Sequence, residues 1–258
     1  MSSSELAPRQ TRRSKLIMLG SSFVGKTSLI LRYVHDAFSP SLQSTIGSAY
    51  VTKSIPINDN ESLVLDIWDT AGQERFRSMN MHLYYRGSTA AVIVYDVTSK
   101  ESFQQVAGWV RELREAVGTY TPSTAVPEEE EETEGKPRGD KWYLKNGLVI
   151  ALVGNKVDLT LGTKPQGIRG EDLGSTTTNP VRQVPTKFGA DYARREGMLF
   201  FETSAKNDGD EGVKQLFEEV VFWCNVKNER EGVRKGGRPS VEGKVTLEMP
   251  GGNGGCCG

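Results

Sequence analysis

Gly20-Ser21-Ser22-Phe23-Val24-Gly25-Lys26-Thr27 decides the fold. Two glycines, a lysine and a hydroxyl stand at the spacing G-x-x-x-x-G-K-[ST], that of a loop that wraps phosphate. Glycines allow close approach and unusual dihedrals, and the backbone N–H groups cradle the anion. Lys26 supplies a point charge to the β- and γ-phosphates, and the Thr27 hydroxyl is offered to Mg²⁺. An apolar run at 15–20 reads as a strand before the loop and 26–35 as a helix after it. The helix then aims its N-terminus at the anion. Ser22, Phe23, Val24, Gly25, Lys26, Thr27 and Ser28 are the candidate residues on the phosphate side.

Outward from the loop the chain alternates between strand and helix patterns. Stretches 49–57 and 62–69 read as strands around a polar turn, a hairpin that implies one antiparallel edge strand. Residues 89–96 and 147–154 are apolar enough for strands buried on both faces, and 198–203 completes the set. Between them, 101–117 carries Phe103, Val106, Val110 and Leu113 on one helical stripe, and 187–196 and 212–225 also read as helices. These six strands and the four helices placed here predict a single α/β P-loop domain with a mostly parallel, six-stranded sheet and five helices in all. Its expected extent is 14–226, after a flexible extension at 1–13 and before a flexible tail at 227–258. Residues 119–146, with a glutamate run and three prolines, and 160–185, rich in Gly, Thr and Pro, are expected to be inserted loops.

The bulk numbers agree. The 258 residues are 36% hydrophobic and 25% charged, enough for one core with polar excess in loops and tails. A net charge of -1 gives no global basic field, so nucleic acid is not an expected partner. The longest apolar runs are strand-sized, no secretory leader is expected, and three cysteines form no paired framework.

A phosphate loop does not select the base. Asn155-Lys156-Val157-Asp158 follows a buried strand. A carboxylate at Asp158 accepts from the N1–H and 2-amino donors of guanine together, where adenine would present an acceptor and repel it. Asn155 can brace the loop, and the Lys156 stem can cover the base plane. Ser204-Ala205-Lys206 fits a second base-side turn, with the Ala205 N–H available to the guanine carbonyl. In Asp69-Thr70-Ala71-Gly72-Gln73, Asp69 can bind Mg²⁺ through water and Gly72 can offer an N–H to the γ-phosphate. Gln73 is placed to orient the attacking water, which makes it the candidate catalytic residue. Thr45 can reach Mg²⁺ when triphosphate is bound, so the surrounding loops form an order–disorder switch.

The order of these segments resembles the Ras superfamily. Arg75-Phe76-Arg77-Ser78, Tyr84-Tyr85-Arg86-Gly87 and Val94-Tyr95-Asp96-Val97-Thr98 are similar to the Rab family. Ser44-Thr45-Ile46-Gly47-Ser48-Ala49-Tyr50 and Trp109-Val110-Arg111-Glu112-Leu113 are most similar to its early-endosomal, Rab-five-like branch. The resemblance implies that Phe38 packs edge-on against guanine, and that Ile46, Trp68 and Tyr84 form an apolar patch read by effectors such as tethering factors. It implies GTP and GDP as ligands with Mg²⁺, and an exchange factor, a GTPase-activating protein, a GDP-dissociation inhibitor and a Rab escort protein as partners. Cys256-Cys257 resembles a double geranylgeranylation signal, and two chains anchor stably where one does not. The expected location is the cytoplasmic face of endosomal membranes, with a cytosolic pool.

Phe23 departs from the family, where a small residue is usual, and Tyr50 replaces the usual Phe. The two insertions are not family features. Two functions stay open at this point: a hydrolysing GTPase switch, supported by Gln73, and a GTP-loaded platform with little turnover, favoured by Phe23. Asp158 argues against an ATP-dependent enzyme.

Overall fold

The computed structural model describes residues 10–45, 48–58, 60–70, 72, 84–117, 148–160, 181–207 and 211–232. Strands β1 (Gln10–Leu19), β2 (Ser48–Pro56), β3 (Glu61–Thr70), β4 (Ala90–Asp96), β5 (Val149–Asn155) and β6 (Leu199–Glu202) form one sheet in the order β2-β3-β1-β4-β5-β6. β2 runs antiparallel to β3 at the edge, and the remaining pairs are parallel, as the hairpin pattern predicts. Helices α1 (Lys26–His35), α2 (Lys100–Gln104), α3 (Val106–Val117), α4 (Thr186–Glu196) and α5 (Glu211–Gly232) cover both faces.

Strand alternation sorts the core into two layers. Leu16 and Met18 of β1 face Leu29, Phe217 and Val220 of α1 and α5. Ile17 and Leu19 face Trp109, Val110 and Ala193 of α3 and α4. β4 and β5 are buried along their whole length, which explains their unbroken apolar sequence. The strand order reverses on either side of β1, so the crevice beyond the carboxyl ends of the parallel strands is the natural ligand site. The phosphate loop, the Asp69 segment, the Asn155 segment and the Ser204 turn all leave from those ends.

Four boundaries differ from the expectations. β1 begins at Gln10 rather than at 15, because Gln10–Ser14 pair with Glu61–Leu65 and two cross-strand ion pairs, Arg12–Glu61 and Arg13–Asp66, hold the polar segment. Residues 10–13 are therefore strand, not flexible extension. The helix expected over 101–117 breaks at Gln105, where the Gly108 N–H returns to the Gln105 carbonyl in a tighter i to i+3 bond. The final helix runs past Asn225 to Gly232, and Asn228 Nδ2 bonds Ser14 Oγ at 3.1 Å. Residues 181–185, expected at the end of an inserted loop, lie on the body: Val184 is buried, and the Gln183 and Val184 N–H groups both donate to the Val97 carbonyl. The insertion at 119–146, residues 161–180 and most of 227–258 lie outside the described residues.

Candidate functional site

The chain leaves β1 through Gly20 and enters α1 at Lys26, and the intervening loop holds Phe23 at φ 62° and Gly25 at φ 98°. Left-handed steps between right-handed ones turn successive N–H groups to one side, the concavity that binds anions. A Cβ at Gly25 would lie 2.2 Å from Asn155 Nδ2, so closure against Asn155 as well as φ requires glycine. The first turn of α1 carries no acidic residue, which leaves its positive end facing the cleft.

Lys26 Nζ donates to the Gly20 and Ser21 carbonyls, each at 2.9 Å. The residue is buried, and desolvation lowers its pKa to about 8, opposed by the nearby Asp69 carboxylate. On the other side of the loop Thr27 Oγ1 donates to Asp69 Oδ2 at 2.6 Å and lies 2.8 Å from Thr45 Oγ1, which is itself 3.2 Å from Asp69 Oδ2. Burial raises the Asp69 pKa, and the bond from Thr27, the charge of Lys26 and the bond from Thr45 pull it back. The second oxygen, Asp69 Oδ1, is buried with no hydrogen-bond partner among the described residues. Three convergent oxygen donors with one carboxylate oxygen unsatisfied fit a hard, oxygen-seeking cation such as Mg²⁺. Thr27, Thr45 and Asp69, the three expected metal-side residues, are thus brought together.

The base side is equally connected. Asn155 Nδ2 donates to the Val24 carbonyl at 2.8 Å, and Asn155 Oδ1 accepts from the Ala205 N–H at 3.2 Å. The Ala205 donor expected to face guanine is therefore turned to Asn155, whose carbonyl oxygen lies within its reach. Asp158 stands in a short 3-10 turn, Val157–Thr160, and Oδ1 accepts from Ser204 Oγ at 2.5 Å. Ser204 Oγ in turn accepts from the Lys206 N–H at 3.1 Å, so one hydroxyl aligns the turn and the carboxylate. Lys156 Nζ pairs with Asp96 Oδ2 at 2.7 Å, which stretches its stem along the cleft. Asp96 stands in the Val94–Thr98 motif, but its pairing with Lys156 was not among the expected site contacts.

A cavity of about 390 Å³ joins the two sides. Ser22, Phe23, Gly25, Lys26, Thr27, Ser28, Phe38, Thr45, Gly72, Asn155, Lys156, Asp158, Ser204, Ala205 and Lys206 line it. Val24 is buried beneath the loop and contributes its carbonyl to Asn155. Gly72 lies flush on the phosphate loop: a Cβ there would sit 2.4 Å from Ser21 C and Ser22 N. Phe23 points away from the core and is 72% exposed. Gln73, Ile46, Cys256 and Cys257 lie outside the described residues.

Beside the cleft, Trp68 and Tyr84 meet edge to face at 5.8 Å, and Tyr50 lies against Trp68 at 5.1 Å. Tyr50, the residue that replaces the family's usual Phe and was expected to tune effector choice, is set beside Trp68 by the hairpin register. Its hydroxyl donates to Asp66 Oδ1 at 2.7 Å.

The Ras family model matches residues 15–128 and 140–225. The GTP-binding protein YPT52 of Saccharomyces cerevisiae is 37% identical over 218 residues, covering 80% of this chain and 79% of that protein. The GTP-binding protein ypt5 of Schizosaccharomyces pombe is 37% identical over 221 residues, covering 84% and 82%. Ras-related protein Rab-22A of Mus musculus is 37% identical over 209 residues, covering 81% and 82%.

Proposed function

The chain belongs to the Ras family, and from that premise we propose the role of each site residue in a GTP-hydrolysing switch of endosomal trafficking. The activity is that of a small GTPase, with GTP or GDP and Mg²⁺ as its ligands. The observation that carries the residue roles is the single cleft onto which Lys26, Asp69, Asn155 and Asp158 converge. Family membership favours hydrolysis over storage of bound GTP.

On the phosphate side, the backbone of Ser22–Ser28 cradles the anion while Lys26 binds its terminal oxygens. Thr27, Thr45 and Asp69 would hold Mg²⁺, which would supply positive charge to the phosphates when bound. Gly72 senses the γ-phosphate and Gln73 orients the attacking water. On the base side, Asp158 accepts from guanine, Phe38 borders the ring, the Lys156 stem covers it, and Ser204, Ala205 and Lys206 complete the turn. An incoming guanine carbonyl would share the Ala205 donor with Asn155.

Ile46, Trp68, Tyr84 and Tyr50 present the effector surface. The partners of the cycle are an exchange factor, an activating protein, effectors such as tethering factors, and a GDP-dissociation inhibitor and escort protein that handle geranylgeranyl groups on Cys256 and Cys257. Those groups would hold the switch on the cytoplasmic face of endosomal membranes, with a cytosolic pool.

The test is to identify the nucleotide that copurifies with the chain and follow it in a single turnover with Mg²⁺. Guanine nucleotide, with GTP converted to GDP, supports the assignment; adenine nucleotide, or GTP that persists with and without an activating protein, overturns it.

A further inference from the structure

Ser21 sits where three parts of the switch meet. Its hydroxyl donates to Gln105 Oε1 at 2.8 Å, a contact spanning 84 residues of chain. Its carbonyl accepts from Lys26 Nζ at 2.9 Å. Its backbone lies so close to Gly72 that a Cβ there would stand 2.5 Å from the Ser21 carbonyl oxygen. Ser21 thus links a helix, the phosphate-binding ammonium and the segment that carries Gly72.

Gln105 is built to be the fixed end of that link. It stands at the break between α2 and α3, its carbonyl accepting from Gly108 and Trp109 and its N–H returning to Glu101. The residues that follow, Val106 and Trp109, are fully enclosed in the core, so the helix start cannot drift with the loop. A hollow of about 330 Å³ lies between the loop and α2, bordered by Ser21, Phe23, Glu101 and Gln105. Ser21 and Gln105 both border this hollow, and their hydrogen bond joins the loop to the junction of α2 and α3 at its edge.

We propose that Gln105 is a positioning residue for Lys26, acting through Ser21. The proposal rests on the nucleotide-binding reading above. The amide oxygen of Gln105 orients the Ser21 hydroxyl and, with it, the peptide whose carbonyl holds Lys26 Nζ. Lys26 is aimed at the phosphates only while that peptide keeps its orientation. The same peptide forms the surface on which Gly72 rests, so Gln105 also sets the floor for the γ-phosphate sensor.

The experiment measures release of a fluorescent GDP analogue from the full chain in the presence of Mg²⁺, for Ser21→Ala, Gln105→Leu, the double variant and Ser21→Thr. Loss of one intramolecular hydrogen bond is expected to speed release about five- to tenfold in each of the first two. The double variant is expected to be no faster than either single one, because both break the same link. Ser21→Thr keeps the hydroxyl and is expected to restore slow release. Phosphorus NMR of the bound nucleotide adds a readout of aim: the β-phosphate resonance should move in Ser21→Ala and Gln105→Leu and return in Ser21→Thr. Unchanged release in both single variants, additive effects in the double, or an unmoved β-phosphate resonance would overturn the proposal. Failure of the unaltered chain to take up the analogue at all would overturn the nucleotide-binding reading, and this outcome is distinct because it appears before any substitution.

Discussion

Asn155 Nδ2 and the Val24 carbonyl meet at 2.8 Å and join two loops 131 residues apart. The other half of the same amide accepts from Ala205, so one buried side chain ties the phosphate loop to the base-side turn. Neither loop can tighten on its ligand without the other. Asn155→Ala removes both bonds and leaves the Val24 carbonyl buried and unmatched. Each lost bond costs about 1 kcal/mol and an orphaned group more, so GDP release should speed by about 30- to 100-fold. Stopped-flow release measurements check this. A rate within about threefold of the unaltered chain would show that the two loops are not coupled through Asn155.

Base choice is expected to rest on Asp158. Its carboxylate is aligned by Ser204 at 2.5 Å, with the other oxygen, 4.0 Å from Lys206 Nζ, turned to the cleft. Asp158→Asn replaces an acceptor by a donor toward the guanine 2-amino group while matching the carbonyl that xanthine carries there. The expected outcome is a loss of GTP affinity by about 100-fold, the scale of a charge-assisted bidentate pair, with a gain in affinity for xanthosine triphosphate. Competitive displacement of a labelled nucleotide measures both. Unchanged preference for GTP would place base recognition elsewhere.

Mg²⁺ is expected to act through the Thr27–Asp69–Thr45 cluster. With a chelator present, nucleotide release from the unaltered chain should accelerate, because the cation shared by phosphate and protein is lost. Asp69→Ala removes the buried carboxylate whose Oδ1 has no partner among the described residues. That variant should already release nucleotide fast, and the chelator should add little. An equal response to chelator in both proteins would remove Asp69 from the metal site.

Much of this site was legible because it is made of short segments at strand ends. The positions of Lys26, Asp69, Asn155 and Asp158 follow from motif spacing and from the rule that α/β sheets bind ligands beyond their carboxyl edges. What spacing does not encode is side-chain direction. The turn of the Ala205 N–H toward Asn155, the pairing of Lys156 with Asp96 and the link from Ser21 to Gln105 depend on packing between distant segments. The extended β1 was hidden for a similar reason. Its first residues are polar, and they are strand only because β3 presents Glu61 and Asp66 to Arg12 and Arg13. The break at Gln105 was invisible because the apolar stripe of the helix continues across it.

Phe23 is a cost that the fold does not recover by packing. It holds a left-handed φ of 62° with its ring 72% exposed. Such a backbone costs a bulky residue about 1–2 kcal/mol, while glycine adopts it freely. Phe23→Gly is therefore expected to raise the stability of the GDP-loaded chain by about 0.5–1 kcal/mol once the greater freedom of glycine in the unfolded state is subtracted, and with it the unfolding midpoint. Removal of the ring from the loop beside Gly72 should also quicken single-turnover hydrolysis. Thermal unfolding and a hydrolysis time course test the two separately, and lower stability in the glycine variant would show that Phe23 is supported by contacts in the folded chain.

Cys224 makes the alkaline limb of stability predictable. Burial raises its thiol from 9.0 to about 11, against smaller opposing effects from Thr89, Lys227 and Ser14. In the unfolded chain the thiol ionises near its ordinary value, so between about pH 9 and 11 the folded state binds the proton and the unfolded state does not. Stability is then fully present below pH 9 and falls as pH rises, at about 1.4 kcal/mol per pH unit from this group alone. Cys224→Ala leaves a small cavity and lowers stability at neutral pH, but it removes this slope. Denaturant titrations at pH 8 and pH 10 should show a smaller loss for the alanine variant than for the unaltered chain, by about 1 kcal/mol. Tyr33 and Tyr192, both pushed up to about 12, contribute equally to the two proteins and cancel in the comparison. Equal losses would mean that the Cys224 thiol ionises in the folded chain as it does in water, and that the contact between α5 and β1 is open to solvent.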